Sequence, residues 1–357
     1  MPQETAQDTT PNTVEEKNVY EFVVKRKMYV GRRLDKYLSA RFPQYTRSLI
    51  QRLAKAGSIQ VGGQPAKSSY LIKHRDVITL DVPVVEEDRI LPEDIPVDII
   101  YEDDYVIVVN KPPDMVVHPA AGNMSGTLVN ALLFHVHAQN LSPANGPMKA
   151  GIVHRLDRDT SGVILVIKDA SIHNNIARQF SERTVNKEYL ALVIGDVELD
   201  SDIIELPIGR QIGNRLKMAV RHDEGKEASS VYEVLERFGD FTLVKVMPRT
   251  GRTHQIRIHL KAIGHAIVAD VDYSRRDCLY RSEILGEKSE PGEEPVLDRQ
   301  ALHAYRLEFY HPELKKRVSF QAELPEDMET VLKLLRQRGP VVKKNRGRGL
   351  SARRKGL

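Results

Sequence analysis

Residues 151–162 read GIVHRLDRDTSG and lead directly into the apolar run VILVI at 163–167. The segment places Arg155, Asp157 and Arg158 at the entrance of a strand that the Val, Ile and Leu residues predict to be buried. A carboxylate such as Asp157 acts as a nucleophile or a base if it stays ionised and its neighbours orient it. A surface turn held by salt bridges would have the same composition, so the segment alone leaves both interpretations open.

The segment PRTGRTHQIRIHL at 248–260 is the second concentration of polar groups. Apolar residues at Ile256, Leu260 and Ile263 recur at helical spacing. Thr253 can cap the start of this helix and Gly264 can end it. The alternation of apolar residues over 256–260 also permits a strand, and we adopt the helix as the prediction.

Arg257 would lie off the apolar face of that helix, within reach of a site at the start of the helix. A guanidinium beside a buried carboxylate keeps it charged and fixes its direction, which makes Arg257 a candidate partner for an aspartate. The alternative is that the basic residues hold phosphates only. The nearby His254, His259 and His265 lack metalloprotease spacing and a neighbouring carboxylate, so we predict no zinc site.

The segment NKEYLALV at 186–193 predicts a strand that presents Tyr189. A phenol can stack on a nucleobase or move a proton, although most strand tyrosines are simply core residues. The glycines of the chain form neither a dinucleotide fingerprint nor a P-loop, so we expect no nucleotide cofactor.

The composition excludes several classes of protein. No apolar run approaches the roughly 18 residues that a membrane span needs, and residues 1–17 are too polar for a secretory signal. Cys278 is the only cysteine, which excludes a disulfide framework and a cysteine-rich metal site. We therefore expect a cytoplasmic protein without membrane association.

Charge is distributed in blocks, although the net charge is only +4. Residues 32–81 contain ten Lys and Arg against three acids, a net charge of +7, whereas residues 83–106 contain nine acids and one arginine, a net charge of −8. No acid follows Glu329, while ten Lys and Arg do. Basic regions on both sides of a more balanced centre favour a nucleic-acid partner. A solvated surface with a basic tail is the alternative.

These patterns divide the chain into five parts. We predict a disordered N-terminus at 1–18, a compact module at 29–82, an acidic linker at 83–96, a larger body at 97–330 and a basic disordered tail at 341–357. The module contains two helices and a hairpin whose turn is Gly62-Gly63. In the body, strands and helices alternate irregularly, which indicates a mixed α+β domain. Residues 283–296 are rich in Glu, Gly and Pro and predict a mobile insertion.

Four ordered signatures together resemble the RluA/RluD family of RNA pseudouridine synthases. They are VVNKP and VVHP within 106–119, HRLDRDTSG at 154–162, KEYLALV at 187–193 and TGRTHQIRIHL at 250–260. The module at 29–82 resembles the S-four RNA-binding domain through RRLDKYL at 32–38, TRSLIQRLAKAG at 46–57 and IQVGGQ at 59–64. The long insertion at 277–297 and the basic tail are less typical of the family.

The resemblance implies an α+β protein with the pseudouridine synthase fold, in which a mixed, largely antiparallel sheet carries flanking helices. A small α/β S-four-like module would precede it. The resemblance also implies an isomerase that converts specific uridines to pseudouridine, in large-subunit ribosomal RNA, with no metal and no cofactor. We expect a monomer whose partner is RNA.

The resemblance assigns roles residue by residue. Asp157 corresponds to the catalytic nucleophile, and Arg257 corresponds to the basic residue paired with it. Tyr189 corresponds to the tyrosine that stacks on the uracil and can accept the proton of ring carbon five. Arg155 corresponds to the arginine that helps to flip or replace the target base. Basic residues of the module are the candidate RNA contacts: Arg33, Lys36, Arg47, Arg52 and Lys55.

Two other function classes stay open at this point. One is a non-catalytic RNA-binding factor for ribosome assembly, which would keep its function after replacement of Asp157. The other is a nucleoside or glycoside hydrolase that uses Asp157 with a second carboxylate such as Asp159. A hydrolase would release free base, whereas an isomerase releases nothing.

Overall fold

The computed structural model describes residues 18–42, 45, 47–82, 90–120, 122–136, 141–142 and 150–339. Residues 1–17, residues 83–89 of the predicted linker and the predicted tail at 341–357 lie outside the described residues. The described residues divide into two compact units, of which the first contains those up to Ile90 together with Ala150 and the second contains the others from Leu91 onward. This division falls inside the linker that the acidic composition predicts at 83–96.

The first unit is a four-stranded antiparallel sheet with two helices, in the order β1-β4-β2-β3. Its elements are β1 (Asn18–Val23), a 3-10 turn (Lys27–Tyr29), α1 (Leu34–Arg41), α2 (Arg47–Lys55), β2 (Ile59–Val61), β3 (Gln64–Pro65) and β4 (Val77–Val82). The apolar faces of both helices and the inner sides of β2 and β4 share one core. The helices and the turn at Gly62-Gly63 are confirmed.

The start of this module was predicted wrongly. β1 begins at Asn18, inside the segment predicted to be disordered and well before residue 29, and it pairs along its whole length with β4. Its alternation places Tyr20 and Phe22 against the module core while Val19 and Val23 stay largely exposed. A strand of this kind gains its stability from the partner strand, which the local sequence does not reveal.

The second unit contains the larger sheet. Its first elements are β5 (Asp98–Glu102), β6 (Val106–Lys111), α3 (Leu128–His135), β7 (Ser161–Ile167), α4 (Ala170–Ser181), β8 (Asn186–Ile194), β9 (Ser201–Glu205), β10 (Ile208–Gln211) and β11 (Asn214–Val220). Its remaining elements are β12 (Ser229–Arg237), β13 (Phe241–Pro248), α5 (Gln255–Ala262), β14 (Leu279–Tyr280), α6 (Arg281–Leu285), β15 (Pro295–Leu297), β16 (Leu302–His311), β17 (Lys316–Gln321) and α7 (Glu326–Arg338).

Nine strands form the main sheet, in the order β5-β6-β7-β16-β8-β13-β12-β9, with β17 also paired to β16. Within the described residues, β7 and β16 are the one parallel pair of this sheet, and the other pairings are antiparallel. The predicted mixed, largely antiparallel sheet with flanking helices is therefore confirmed. β7 lies near the centre, and every residue of it is buried.

Gly162 permits the close approach of β7 to β16. Its φ is +111°, and a Cβ atom there would lie 2.2 Å from the carbonyl oxygen of Ala304. Only glycine fits this position without movement of the neighbouring strand. The glycine that ends the motif at 151–162 therefore has a packing role directly behind the candidate nucleophile.

The body extends beyond both of its predicted ends. Leu91 and Glu93, in the predicted linker, hydrogen-bond to the start of α3: the Asn130 amide donates to the Leu91 carbonyl oxygen at 2.8 Å, and the Glu93 backbone N–H donates to the Asn130 carbonyl oxygen at 3.1 Å. At the other end, α7 continues past residue 330 to Arg338, and Val331 and Leu335 of this helix are fully buried. The charge pattern therefore did not show where packing of the body begins and ends.

The insertion that was predicted to be mobile is folded. β14 and β15 pair, and α6 lies between them along the chain. Leu279, Ile284 and Leu297 from these elements are buried in the same core as α7. Of these three residues only Ile284 lies inside the predicted segment 283–296, and Leu279 and Leu297 flank it, so the segment is attached at both of its ends.

Within the described residues, no helix is long and apolar enough to cross a membrane.

Candidate active site

The loop at residues 153–160, here named the aspartate loop, carries Asp157 and is anchored by Lys111 at the end of β6. The Lys111 side chain is fully buried, and its ammonium donates to the carbonyl oxygens of Pro112, Met115 and Arg158 at 2.6, 2.9 and 2.8 Å. Burial lowers the pKa of Lys111 to about 7. One buried amine thus joins the turn after β6 to the residue that follows the candidate nucleophile.

A second set of contacts holds the end of the aspartate loop. Arg299 donates to the carbonyl oxygen of Asp159 at 3.0 Å and makes paired hydrogen bonds to Asp327 at 2.6 and 2.8 Å. The Gln300 amide donates to the Thr160 hydroxyl at 2.7 Å. Because Arg299 and Gln300 are both buried, the loop backbone is fixed directly after the candidate nucleophile.

Arg257 on α5 contacts three carboxylates. Its Nη1 donates to Asp157 Oδ2 at 3.2 Å, its Nε and Nη2 pair with Asp270 at 2.8 and 2.7 Å, and its Nη2 also donates to Asp272 at 3.0 Å. The Arg257 side chain is 5% exposed, Asp270 is fully buried and Asp157 is 20% exposed. The paired bond to Asp270 fixes the guanidinium, and its remaining edge faces Asp157. The structure thus brings together two of the predicted site residues.

The helix that carries Arg257 is confirmed, but its predicted cap is wrong. α5 begins at Gln255, and the residue that precedes it is His254, in the left-handed conformation with φ 55° and ψ 22°. The predicted end is confirmed, because Gly264 with φ +93° follows the last turn. Thr253 therefore does not cap the helix, and the irregular start instead turns the His254 side chain toward Asp157.

His254 is the third group at Asp157. Its Nε2 lies 4.0 Å from Asp157 Oδ2, and its Nδ1 lies 2.7 Å from the Tyr273 hydroxyl. The Tyr273 ring also lies 4.9 Å from the Arg257 guanidinium carbon. Burial lowers the pKa of His254, and the charge of Asp157 opposes this shift. The imidazole is therefore neutral at neutral pH.

Tyr189 lies on β8, in register with Val246 of β13 and Ala304 of β16. Burial, and then the charge of Asp157, raise the pKa of Tyr189 well above its ordinary value. The phenol consequently stays protonated at neutral pH, in electrostatic contact with Asp157.

Arg155 is exposed, and it makes no hydrogen bond or ion pair with any other residue that the structure describes. It belongs to the same loop as Asp157, but no other residue in the described ranges holds its guanidinium. Of the four predicted catalytic residues, Arg155 alone is exposed.

His154 of the same motif has a structural role. Its ring stacks on Phe180 with 4.6 Å between centroids and 17° between planes, and its Nε2 accepts the backbone N–H of Leu165 at 2.9 Å. Burial lowers the pKa of His154 to about 3. A histidine held neutral by a backbone donor supports the fold and takes no part in proton transfer at neutral pH.

Reasoning from the sequence missed four residues of the site: Lys111, Asp270, Asp272 and Tyr273. Three of them lie in the segment VADVDY at 268–273, where acids follow the buried Ile267 and Val268. Charge directly after a buried apolar pair is the signal that selected Asp157, and it could have selected this segment. Within the described residues, no cluster of three His, Cys, Asp or Glu side chains is arranged to hold a metal.

The candidate RNA contacts of the first unit lie on or next to its two helices. Lys36, Arg47, Arg52 and Lys55 are exposed, and Arg33 is partly exposed. Arg33 and Arg47 form ion pairs with Asp35, whose carboxylate is fully buried. This face of the module thus presents several cations to solvent.

Comparisons with known proteins agree with the fold and show the family of the chain. The family described as RNA pseudouridylate synthase matches residues 105–262, and the S4 domain matches residues 32–78. YlyB, an uncharacterized RNA pseudouridine synthase of Bacillus subtilis, is 42% identical over 86% of this chain and 95% of its own length. The chain belongs to the RNA pseudouridine synthase family. It is therefore an isomerase with the pseudouridine synthase fold and an S-four RNA-binding module, as the sequence signatures predict.

Two further relatives carry a more specific name. Ribosomal large subunit pseudouridine synthase D of Pseudomonas aeruginosa is 40% identical over 86% of this chain and 93% of its own length. The protein of the same name from Zymomonas mobilis is 38% identical over 86% of this chain and 94% of its own length. The RNA pseudouridine synthase described here is thus similar to these relatives over most of its length.

Proposed function

We propose that this pseudouridine synthase modifies uridines of large-subunit ribosomal RNA and that Asp157 is its nucleophile. The observation that carries the assignment is the setting of Asp157, a partly exposed carboxylate on a fixed loop with a buried guanidinium at 3.2 Å. The guanidinium fixes the direction of the carboxylate, and the exposed part of Asp157 remains accessible to substrate. The choice of RNA is supported by the names and similarity of the two ribosomal relatives.

The reaction needs no second substrate. The bond between uracil nitrogen one and the sugar breaks, the base turns, and a bond forms between ring carbon five and the sugar. Carbon five loses a proton and nitrogen one gains one, so the atoms balance within one nucleotide. A single ionised carboxylate such as Asp157 is sufficient to initiate this exchange as a nucleophile.

Tyr189 is suited to stack on the base. Its raised pKa means that the phenolate is not available at neutral pH. Tyr189 is therefore disfavoured as the base that accepts the proton of carbon five. A protonated phenol on the rigid strand β8 instead offers an aromatic face and a hydroxyl beside Asp157. Arg155, which is exposed and unpaired among the described residues, can enter the space left when the target uridine leaves its stack.

The S-four module supplies affinity. It presents exposed or partly exposed cations that are suited to contact phosphates: Arg33, Lys36, Arg47, Arg52 and Lys55. None of these residues is assigned a part in the isomerisation. The body can then act on a uridine in a loop or a weakly paired site, where flipping costs only a few kcal/mol.

The test compares Asp157→Asn with Asp159→Asn, a matched change two residues away in the same loop. Protein-free large-subunit RNA is incubated with each variant, and pseudouridine, free uracil and RNA binding are measured. We expect Asp157→Asn to bind RNA and form no pseudouridine, and Asp159→Asn to retain turnover. Appreciable turnover by Asp157→Asn contradicts the nucleophile assignment. Release of uracil would indicate the hydrolase, and modification of other RNAs only would overturn the ribosomal assignment.

A further inference from the structure

Tyr273 determines which nitrogen of His254 carries hydrogen. The Tyr273 hydroxyl oxygen accepts the backbone N–H of Met218 at 3.1 Å, and the same hydroxyl lies 2.7 Å from His254 Nδ1. Since the oxygen already accepts one hydrogen bond, its own proton is directed to Nδ1. Burial raises the pKa of Tyr273, which keeps that proton in place. Nδ1 is then an acceptor, and the hydrogen of the neutral imidazole lies on Nε2.

The Nε2–H of His254 faces the candidate nucleophile. It lies 4.0 Å from Asp157 Oδ2, the same oxygen that Arg257 Nη1 approaches at 3.2 Å. No residue within the described part of the chain donates a hydrogen bond to Asp157 Oδ1. The two oxygens of one carboxylate therefore have different surroundings, with both donors on the Oδ2 side.

The arrangement is built into the backbone. His254 is in the left-handed conformation that few non-glycine residues adopt, and this places its ring beside the start of α5. Tyr273 contributes twice, because its hydroxyl holds His254 while its ring lies against the Arg257 guanidinium. One tyrosine thus orients both groups that flank Oδ2.

We propose that His254 is a positioning residue, which Tyr273 orients so that its N–H donor stands beside Asp157 Oδ2 and Oδ1 is the oxygen presented to the uridine. The proposal rests on the role of Asp157 proposed above. The separation of 4.0 Å is longer than a hydrogen bond, so a donor contact requires the two groups to approach by about 1 Å when RNA fills the site. His254 acts through Asp157 and through no bond to the base.

The first experiment compares His254→Leu with His254→Gln in the full chain. Glutamine retains an N–H donor of similar reach, whereas leucine has none. Neither residue favours the left-handed backbone conformation of position 254, so that strain is common to both variants. We expect the leucine variant to lose roughly a hundredfold in single-turnover rate at saturating RNA, with little change in RNA affinity, and the glutamine variant to recover most of that loss. A leucine variant that reacts like the parent, or equal losses in both variants, would overturn the proposal.

The second experiment does not depend on activity. Nitrogen-15 spectra of histidine-labelled protein, assigned with His254→Gln, report which ring nitrogen bears hydrogen. We expect Nε2–H in the parent and a mixture of tautomers in Tyr273→Phe. Hydrogen on Nδ1 in the parent would overturn the proposal even if Asp157 is the nucleophile. If Asp157→Asn remains active while hydrogen is found on Nε2, the nucleophile assignment is wrong, but the orientation of His254 by Tyr273 is supported.

The pH profile of Tyr273→Phe provides a third readout. Without the hydroxyl, Nδ1 can take a proton, and the charges of Asp157, Asp270 and Asp272 favour that imidazolium. Arg257 and burial oppose it, while Lys217 and Lys261 face Asp272 and the Tyr273 ring. The pKa of His254 should therefore rise. The resulting imidazolium would attract the negative charge of the Asp157 carboxylate and make it a weaker nucleophile. We expect the acid limb of the rate profile to move to higher pH than in the parent, and an unmoved limb would count against the proposal.

Discussion

The two units use the pairing of arginine and aspartate in opposite ways. In the module, one fully buried carboxylate, Asp35, holds Arg33 and Arg47, whose side chains remain 40% and 47% exposed. In the body, one guanidinium that is 5% exposed, Arg257, holds Asp157, Asp270 and Asp272. Asp35 and Arg257 are the buried organisers. Their accessible partners are Arg33 and Arg47 in the module and Asp157 and Asp272 in the body, whereas Asp270 is itself fully buried.

The difference in charge follows the difference in task. Two arginines on one aspartate leave a net positive cluster at the surface, which suits contact with phosphate. Three aspartates on one arginine leave a negative cluster, partly offset by Lys217 at 3.3 Å from Asp272, in which Arg257 is the buried cation that faces Asp157. In the roles proposed above, the ion pair presents cations to phosphate in one unit and orients the nucleophile in the other.

Replacement of the organiser in the body should have the largest effect. Arg257→Met leaves Asp270 buried without its paired partner, and Asp157 without orientation. We expect a loss of roughly a thousandfold in single-turnover rate and a loss of about 3–5 kcal/mol in the free energy of unfolding, measured by urea titration. Arg257→Lys is the matched control, and it should recover the charge but little of the rate because lysine cannot pair bidentately. Full activity of Arg257→Met would break the comparison.

Replacement of the exposed partners in the module should weaken RNA binding without changing the chemical step. The double variant Arg33→Gln and Arg47→Gln removes two cations, so RNA affinity should fall and the slope of log affinity against log salt should decrease by about two. The single-turnover rate at saturating RNA should stay unchanged. The charge-matched control is Lys288→Gln with Lys316→Gln, two exposed lysines of the body. Equal losses of affinity in both double variants would mean that net charge matters and the Asp35 cluster does not.

Replacement of the organiser in the module should have a smaller, pH-dependent effect. The hydrogen bond from Arg33, with those from Gln51 and Arg47, holds the pKa of Asp35 well below its ordinary value, although burial opposes this. A carboxylate with a lowered folded pKa stabilises the fold above its unfolded pKa of about 3.8, and this stability is lost as the pH falls below it. We expect Asp35→Asn to cost about 1.5–3 kcal/mol at pH 7, measured by hydrogen exchange in α1. The difference from the parent should shrink below pH 4, and a constant difference would contradict the assignment.

The last prediction concerns the pH dependence that Lys111 confers on stability. Burial lowers its pKa from 10.5 to about 7, so between these values the unfolded chain binds more protons than the folded one. Stability that depends on Lys111 should therefore rise with pH across this window, by at most about 1.4 kcal/mol per pH unit. Urea midpoints of the parent and Lys111→Met, compared from pH 7 to pH 10, isolate the contribution. Parallel pH dependences would show that the ammonium stays charged.

The sequence alone determined the family, the order of the two folded units and the candidate residues of the active site. Asp157 and Arg257 stand out because dense charge beside apolar runs is uncommon unless the charges are paired. Helix α5 and strand β7 follow from local periodicity, and the division near the acidic linker follows from charge. These features are local in the chain, so neighbouring residues carry the information.

Only the tertiary structure decided what depends on distant partners. β1 needs β4, the folded insertion needs α7, and the role of Tyr273 depends on a backbone N–H at Met218 and a ring at His254. Lys111 and Arg158 are 47 residues apart, and Arg257 and Asp157 are 100 apart. Contacts at such separations depend on how strands cross in the sheet, and periodicity reports only whether a residue is buried, not which groups it meets there.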